Sequence, residues 1–200
     1  GGGDVWRQRA LMNMGYGGGE YSSVVGGFGG QLVSTITCLE CGFQSPCYDP
    51  FLDLSLPIPA HAHVKEGEDA KAGVVCPLEA CFEEFTAVEV LEGADMYHCS
   101  ACQERRRATK QLLIAHAPRM LVVHVKRFCH TLTTREKLVT PLAFPEEGLN
   151  LSPFMLPPET PDSSHLPPPP PPLYDLVAIA LHVGGIGGGH YHALCRKREE

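Results

Sequence analysis

Tyr174-Asp175-Leu176-Val177-Ala178-Ile179-Ala180-Leu181-His182-Val183-Gly184-Gly185-Ile186-Gly187-Gly188-Gly189-His190-Tyr191-His192-Ala193-Leu194-Cys195-Arg196 is the stretch around which the chain is organised. Its first half, Leu176 to Val183, is apolar apart from His182 and too short for a typical helix, so it reads as a buried strand. Five glycines between Gly184 and Gly189 then break the run. Glycine accepts positive φ and lets other backbone come close, which suits a sharp turn with room beside it for an extended substrate. A second strand is expected from His190 to Arg196, with His190, His192, Leu194 and Arg196 on one face and Tyr191, Ala193 and Cys195 on the other. The His190 imidazole opens that strand at the edge of the glycine gap, where a general base can reach a nucleophile without crowding. On composition alone, a glycine-rich hairpin carrying surface histidines explains the stretch equally well.

The totals narrow the class. Two hundred residues suffice for one sizeable domain, or for a large piece of a bigger one, and one domain is expected. Hydrophobic content of 44% with 20% charged residues is ordinary for a globular chain, and 21 Gly with 18 Pro predict many turns. A formal charge of −7 argues against a nucleic-acid partner, which usually meets a basic face. No stretch has the apolar length of a membrane span, and the glycine-led start lacks the pattern of a signal peptide. An intracellular location, cytoplasm or nucleus, is therefore expected. Nine cysteines, four of them in two Cys-x-x-Cys pairs, favour metal ligation in a reducing compartment over a disulfide framework.

Those pairs are Cys38-Leu39-Glu40-Cys41, followed by Gly42, and Cys99-Ser100-Ala101-Cys102. Two thiolates two residues apart form a knuckle that wraps half of a tetrahedral zinc site, so Cys38, Cys41, Cys99 and Cys102 are the expected ligands of one structural zinc per chain. Because 57 residues lie between Cys41 and Cys99, each knuckle is expected at the tip of its own hairpin, the hairpins side by side. Four unmetallated buried or redox cysteines are the alternative.

Along the rest of the chain, Gly1 to Gly19 reads as a mobile entry with a helical hint over Val5 to Met14, and Gly26 to Gly30 as a flexible turn. Gln31 to Thr37 alternates like a strand, and Tyr48 to Ile58 reads as another, ended by Pro57 and Pro59. His61 to Gly73 is expected to be a solvent loop, with His61 and His63 as a weak rival metal pair. Leu78, Cys81, Phe82 and Phe85 recur at three- and four-residue steps and predict a short amphipathic helix with Pro77 in its first turn. Cys81 is a core residue there, while Cys76 and Cys47 have no partner at ligand spacing. Arg105, Arg106 and Arg107 read as a solvated basic run rather than a nucleic-acid patch. Leu121 to Phe128 is expected to be a central strand with His124 packed. Cys129 follows it without the glycine turn or helix start that would expose and activate a nucleophile. Pro157 to Pro172 holds nine prolines, six consecutive from Pro167, and predicts an extended polyproline insertion. It is a spacer or a docking site for a proline-reading domain.

The pattern Tyr174, Leu176, Ala178, His182, Gly184 and Gly189-His190-Tyr191 resembles the histidine box of the ubiquitin-specific proteases, papain-like cysteine proteases that remove ubiquitin from proteins. The likeness extends from about Phe28 to Arg196. It includes Gly29-Gly30-Gln31-Leu32 leading into Cys38, Phe51-Leu52-Asp53-Leu54-Ser55-Leu56, Leu78 through Phe85, Tyr97-His98-Cys99, Ala108-Thr109-Lys110 and Leu121 through Lys126-Arg127-Phe128. The resemblance implies an incomplete α+β, papain-like protease fold with an antiparallel β-rich palm and zinc-ribbon-like fingers that grip ubiquitin. Residues 1–20 would then be a stub and 21–200 a partial catalytic domain, with fingers over about 31–115 and the hairpin at 174–196. It also implies that His190 is the general base, with His182 in a supporting place and His192 an exposed strand residue. The family's nucleophilic cysteine box has no counterpart here, since the first cysteine is Cys38, and Glu199-Glu200 does not fit the Asp or Asn that orients the base. A base without its thiol has nothing to activate. The expectation is therefore a deubiquitinase piece, inert by itself, acting on ubiquitin and ubiquitinated proteins. A catalytically inactive ubiquitin-binding scaffold is the alternative.

Overall fold

β1, Gly30–Cys38, carries the alternation that makes it a central strand: β2, Gln44–Phe51, pairs with it on one side and β8, Ala108–His116, on the other, both antiparallel. The computed structural model describes residues 23–67, 75–130, 135–157, 170–185 and 187–197. The expected entry segment at Gly1 to Gly19 and most of the proline run lie outside those residues. In chain order the remaining elements are helix α1 (Ser23–Phe28), β3 (Leu54–Leu56), β4 (Cys76–Pro77), helix α2 (Leu78–Phe85), β5 (Glu89–Leu91), β6 (Tyr97–Cys99), β7 (Glu104–Arg106) and β9 (Val123–Val125). They continue with β10 (Phe128–His130), β11 (Arg135–Lys137), β12 (Leu142–Ala143), β13 (Leu149–Asn150), β14 (Leu173–Tyr174), β15 (Ala178–Gly185) and β16 (Gly188–Cys195). This is a β-rich α+β chain with few helices.

The chain divides into two compact units. Unit 1 comprises Gly1–Leu54, Phe85–Val123 and Leu151–Pro170, and unit 2 the segments Ser55–Glu84, His124–Asn150 and Pro171–Glu200. Residues 55–84, inside the finger range read from the sequence, cluster with unit 2.

Unit 1 is built on the four-stranded sheet β2-β1-β8-β5, with Val33, Ala108, Ile114, Leu151 and Phe154 buried in its core. Burying each Val, Leu, Ile or Phe side chain contributes roughly 1.5–3 kcal/mol. The outer strand β2 carries Pro46 and Pro50, tolerated because one side of an edge strand needs no ladder donors. Phe51 lies opposite Gly30, and a Cβ on Gly30 would fall 2.3 Å from the Phe51 ring, so the missing side chain is what lets the ring lie across the strand. The expected turn at Gly26 to Gly30 is instead largely helical: α1 covers Ser23–Phe28, and Gly29 N–H closes it on the Val25 carbonyl at 2.8 Å. Gly27 is packed rather than free, since a Cβ there would meet the Met120 methyl at 2.8 Å.

Unit 2 has α2 at its centre. Leu78, Cys81 and Phe82 are buried at the helix spacing read from the sequence, with Pro77 just ahead of the first turn. Leu56, Ile58, Val64 and Leu138 complete this core. β4 runs parallel to β12, and β13 pairs with β14. Thr140 is fully buried and joins two segments: its hydroxyl donates to the Ala62 carbonyl at 2.8 Å and accepts from Val64 N–H at 2.9 Å.

Two expected strands are divided. Tyr48 to Ile58 falls into β2 and β3, and Leu121 to Phe128 into β9 and β10. The second break occurs because Arg127 turns inward, donating to the Leu138 and Thr140 carbonyls at 3.2 and 2.8 Å. His124 is not packed as expected but exposed, its Nδ1 3.0 Å from Ser55 Oγ. His63, offered as half of a metal pair, places Nε2 2.8 Å from the Ile58 carbonyl instead.

Candidate metal centre and histidine hairpin

In unit 1 the first knuckle joins β1 to β2 and the second joins β6 to β7, which pair antiparallel, so each knuckle is the tip of a hairpin. The two turns are built alike. Gly42 N–H reaches the Cys38 carbonyl at 2.9 Å and Gln103 N–H the Cys99 carbonyl at 2.8 Å, and both residues take positive φ, 70° and 59°. Glycine adopts that conformation freely, whereas glutamine carries a steric cost of about 1–2 kcal/mol. The signal after Cys41 was legible as Gly42; after Cys102 nothing in the sequence announced it.

These turns bring the ligand sulfurs of Cys38, Cys41, Cys99 and Cys102 within 4.8 Å of one another. Cys38 and Cys99 are buried, Cys102 half-buried and Cys41 exposed. A tetrahedral ion with metal–sulfur bonds of about 2.3 Å sets its sulfurs about 3.8 Å apart. The Cys41–Cys99 separation is 3.7 Å. Backbone N–H groups point at the sulfur of Cys99, that of Cys102 at 3.5 Å, and pull its thiol down to about 7. Hydrogen bonding to Cys41 pushes the Cys102 thiol up to about 12, because a thiol that donates to a neighbouring sulfur is held in its protonated form. The donor set thus fits a structural ion held by four sulfurs, with no coordination position left for water.

In unit 2, β15 and β16 form the expected hairpin, in register from Ala178·Cys195 to Gly185·Gly188. The apolar first strand is not buried as expected: Leu181 and Val183 are exposed, and so is all of β16. Among the described residues the two strands pair only with each other, which leaves both outer edges of the ribbon without a strand partner. Its base is tied down by Arg196 N–H to the Val177 carbonyl and Leu176 N–H to the Glu146 carbonyl, each 2.8 Å, and by the Arg196–Glu147 ion pair.

His190 is exposed on β16, opposite Val183 and one residue past the Gly184·Gly189 rung. Among the described residues no side chain hydrogen-bonds its ring. His182 is held quite differently. Its ring packs on Phe128 at 5.5 Å, edge-on, and on Tyr191 at 4.9 Å, with Nδ1 buried and lacking a partner among the described residues. Gly189 is required here, since a Cβ would lie 2.4 Å from the Val183 carbonyl oxygen and 2.5 Å from His182 Nε2. Gly184 is required twice over, by φ of 128° and by the Gly188 carbonyl oxygen 2.5 Å from a Cβ position. His192 is exposed, as read. Cys129 is half-buried in β10 and Cys47 exposed on β2.

A protein-family model described as ubiquitin carboxyl-terminal hydrolase matches residues 18–200. The chain belongs to this hydrolase family. Ubiquitin carboxyl-terminal hydrolase 3 of Mus musculus is 40% identical over 169 residues, 83% of this chain and 31% of that protein. The hydrolase Usp2 of Drosophila melanogaster is 37% identical over 84% of this chain and 16% of its own length. Among solved structures, the SAGA Ubp8/Sgf11/Sus1/Sgf73 DUB module bound to ubiquitin aldehyde matches with a TM-score of 0.71 at 29% identity, over 97% of this chain and 39% of that one. Such a module bound to monoubiquitin matches at 0.66 and 33% identity, over 86% and 34%. The chain spans about a third of the hydrolase 3 relatives and two fifths or less of the solved chains. The resemblance to ubiquitin-specific proteases and the β-rich fold with a four-cysteine arrangement are thereby established.

Two features escaped the sequence reading. Lys137 donates a hydrogen bond from Nζ to the Gly184 carbonyl, and nothing about a lysine among mixed short elements signals that. Cys76 does have a thiol neighbour, Cys81 Sγ at 3.9 Å. The pair precedes and enters α2 at the positions where a hydrophobic contact staples a helix start, a spacing visible in the sequence.

Proposed function

We propose that this chain supplies the general base and the metal-bearing fingers of a cysteine deubiquitinase, which hydrolyses the bond after the C-terminal glycine of ubiquitin. The observation that carries the reading is the placement of His190, exposed immediately beyond a glycine turn, in a chain that belongs to the hydrolase family. Solved relatives bound to monoubiquitin and to ubiquitin aldehyde support ubiquitin as the partner.

In this reading a cysteine outside these 200 residues is the nucleophile. The Nε2 or Nδ1 of His190 takes the thiol proton as sulfur attacks the carbonyl carbon, then delivers it to the departing amine. Water, deprotonated by the same ring, cleaves the resulting thioester and frees the ubiquitin carboxylate. Cys38, Cys41, Cys99 and Cys102 hold zinc, which cross-links the two knuckles and supplies no chemistry to the reaction. The work is done in a reducing compartment of the cell, where these thiols stay available.

The chain alone is expected to leave a fluorogenic ubiquitin conjugate uncleaved. In a longer chain that includes the nucleophile, His190→Ala lowers kcat by roughly 10²–10⁴-fold. Turnover by the 200-residue chain that disappears with Cys129→Ser or Cys47→Ser sinks this division of roles. The alternative, an inactive ubiquitin-binding scaffold, gives His190 no task, whereas its open ring suits proton transfer.

A further inference from the structure

We propose that the Phe128·Lys137 rung of the β10–β11 hairpin is a clamp that positions His190, with Lys137 as its hydrogen-bonding jaw. Phe128 and Lys137 are cross-strand partners. From that one rung both side chains reach β15, Lys137 at Gly184 and Phe128 at His182, and β16 is reached through the His182 ring. The Lys137 ammonium donates to the carbonyl of Gly184 on β15. The Phe128 ring meets His182 edge-on at 5.5 Å, and His182 in turn underlies Gly189 on β16, its Nε2 2.5 Å from the position a Cβ would take.

Gly184 and Gly189 face each other in the ladder, and the next rung is Val183·His190. The rung adjoining His190 is therefore held at its Gly184 end by a charge-assisted hydrogen bond and at its Gly189 end by the His182 ring, which Phe128 backs. Five glycines in six residues would otherwise leave this segment with more backbone freedom than any other six-residue stretch of the chain. A general base must be held to within a fraction of an ångström, so the freedom that opens the turn has to be removed where the base begins. Lys137 is itself set firmly: its carbonyl accepts from Glu66 N–H at 3.0 Å, and the neighbouring Glu136 is occupied by Lys65 at 2.9 Å. The Glu66 carboxylate also faces the turn, 3.6 Å from a Cβ position on Gly185. Lys137 touches no reacting atom and acts through the backbone, as a positioning residue.

The clamp rests on His190 being the base for its purpose, but not for its detection. The test is amide hydrogen exchange and imidazole nuclear magnetic resonance on the 200-residue chain, comparing wild type with Lys137→Met, Lys137→Arg and Phe128→Leu. Methionine keeps the stem and removes the donor; arginine restores one. Lys137→Met is expected to speed exchange at the Gly188 to Tyr191 amides roughly tenfold and to average the His190 ring signals between rotamers, while β1 amides stay unchanged. Lys137→Arg recovers both, and Phe128→Leu loosens the same amides from the opposite jaw. Unchanged exchange in Lys137→Met overturns the proposal, as does equal loosening by Lys137→Arg, or loosened amides with an undisturbed His190 ring. A longer chain indifferent to His190→Ala would defeat the general-base reading and leave this measurement standing.

Discussion

Gly189 shows how much one hydrogen atom decides. With a Val183 carbonyl oxygen 2.4 Å and His182 Nε2 2.5 Å from a Cβ position, Gly189→Ala must push β15 and β16 apart next to His190. Overpacking of this kind costs about 1–3 kcal/mol, and the variant is expected to lower the hairpin's protection from hydrogen exchange by a matching factor. Gln103 is the opposite case, a side chain where glycine belongs. Its φ of 59° mirrors that of Gly42, so Gln103→Gly should stabilise the second knuckle by roughly 1 kcal/mol, read from the midpoint of denaturant unfolding. Cys81 is legible only in part. Its place on the helix stripe was evident, but the 3.9 Å approach to Cys76 and the burial that pushes its thiol up to about 12 were not. A folded thiol at about 12 against an ordinary value of 9.0 keeps its proton where the unfolded chain has lost it. That contribution to stability is complete below pH 9.0 and is lost as pH rises towards about 12. Unfolding measured across that window should steepen with pH in the wild type and flatten in Cys81→Ala.

At the scale of elements, the unpredicted parts are those where a side chain leaves its strand to bind another segment's backbone. Arg127 does this between β9 and β10, and burial lowers its pKa from the ordinary arginine value without removing its charge. Thr140 does it just ahead of β12, bonded to Ala62 and Val64 across a gap of more than seventy residues. Thr140→Val keeps the shape and leaves a buried carbonyl and a buried N–H unpaired. The expected loss is about 2–4 kcal/mol, measurable as a lowered denaturant midpoint with unchanged slope. The knuckle hairpins, the α2 helix and the glycine hairpin were readable because each has its own local period: Cys-x-x-Cys, three-and-four, and apolar–glycine–apolar. The eight-residue length of β15 was readable too, but not its place, Ala178–Gly185 rather than Leu176 to Val183, nor its exposure, since an apolar run specifies a preference and not the surface that satisfies it.

At the scale of the molecule, unit 1 contains both knuckles and unit 2 the histidine hairpin. The four sulfurs come from two segments of unit 1 that are distant in sequence, so a bound ion closes the long loop between Cys41 and Cys99, of which residues 55–84 belong to unit 2. Removing it with a strong chelator is expected to melt the β6–β7 hairpin, with amide protection lost around Tyr97 to Arg106 and retained in α2 of unit 2. Elemental analysis should find about one zinc per chain before treatment.

From the residues alone came the four ligand candidates, the two hairpin tips that present them, the amphipathic helix and the histidine at the glycine gap, because spacing along a chain dictates local geometry. Tertiary structure alone decided that the four sulfurs do meet, why Gly189 must lack a side chain, that His182 packs under it while His190 stays open, and that Lys137 reaches Gly184. The sulfurs and the Lys137 bond depend on contacts between segments far apart in sequence, and the Gly189 contacts on the exact register of one hairpin; a local pattern records neither the distant partner nor the register.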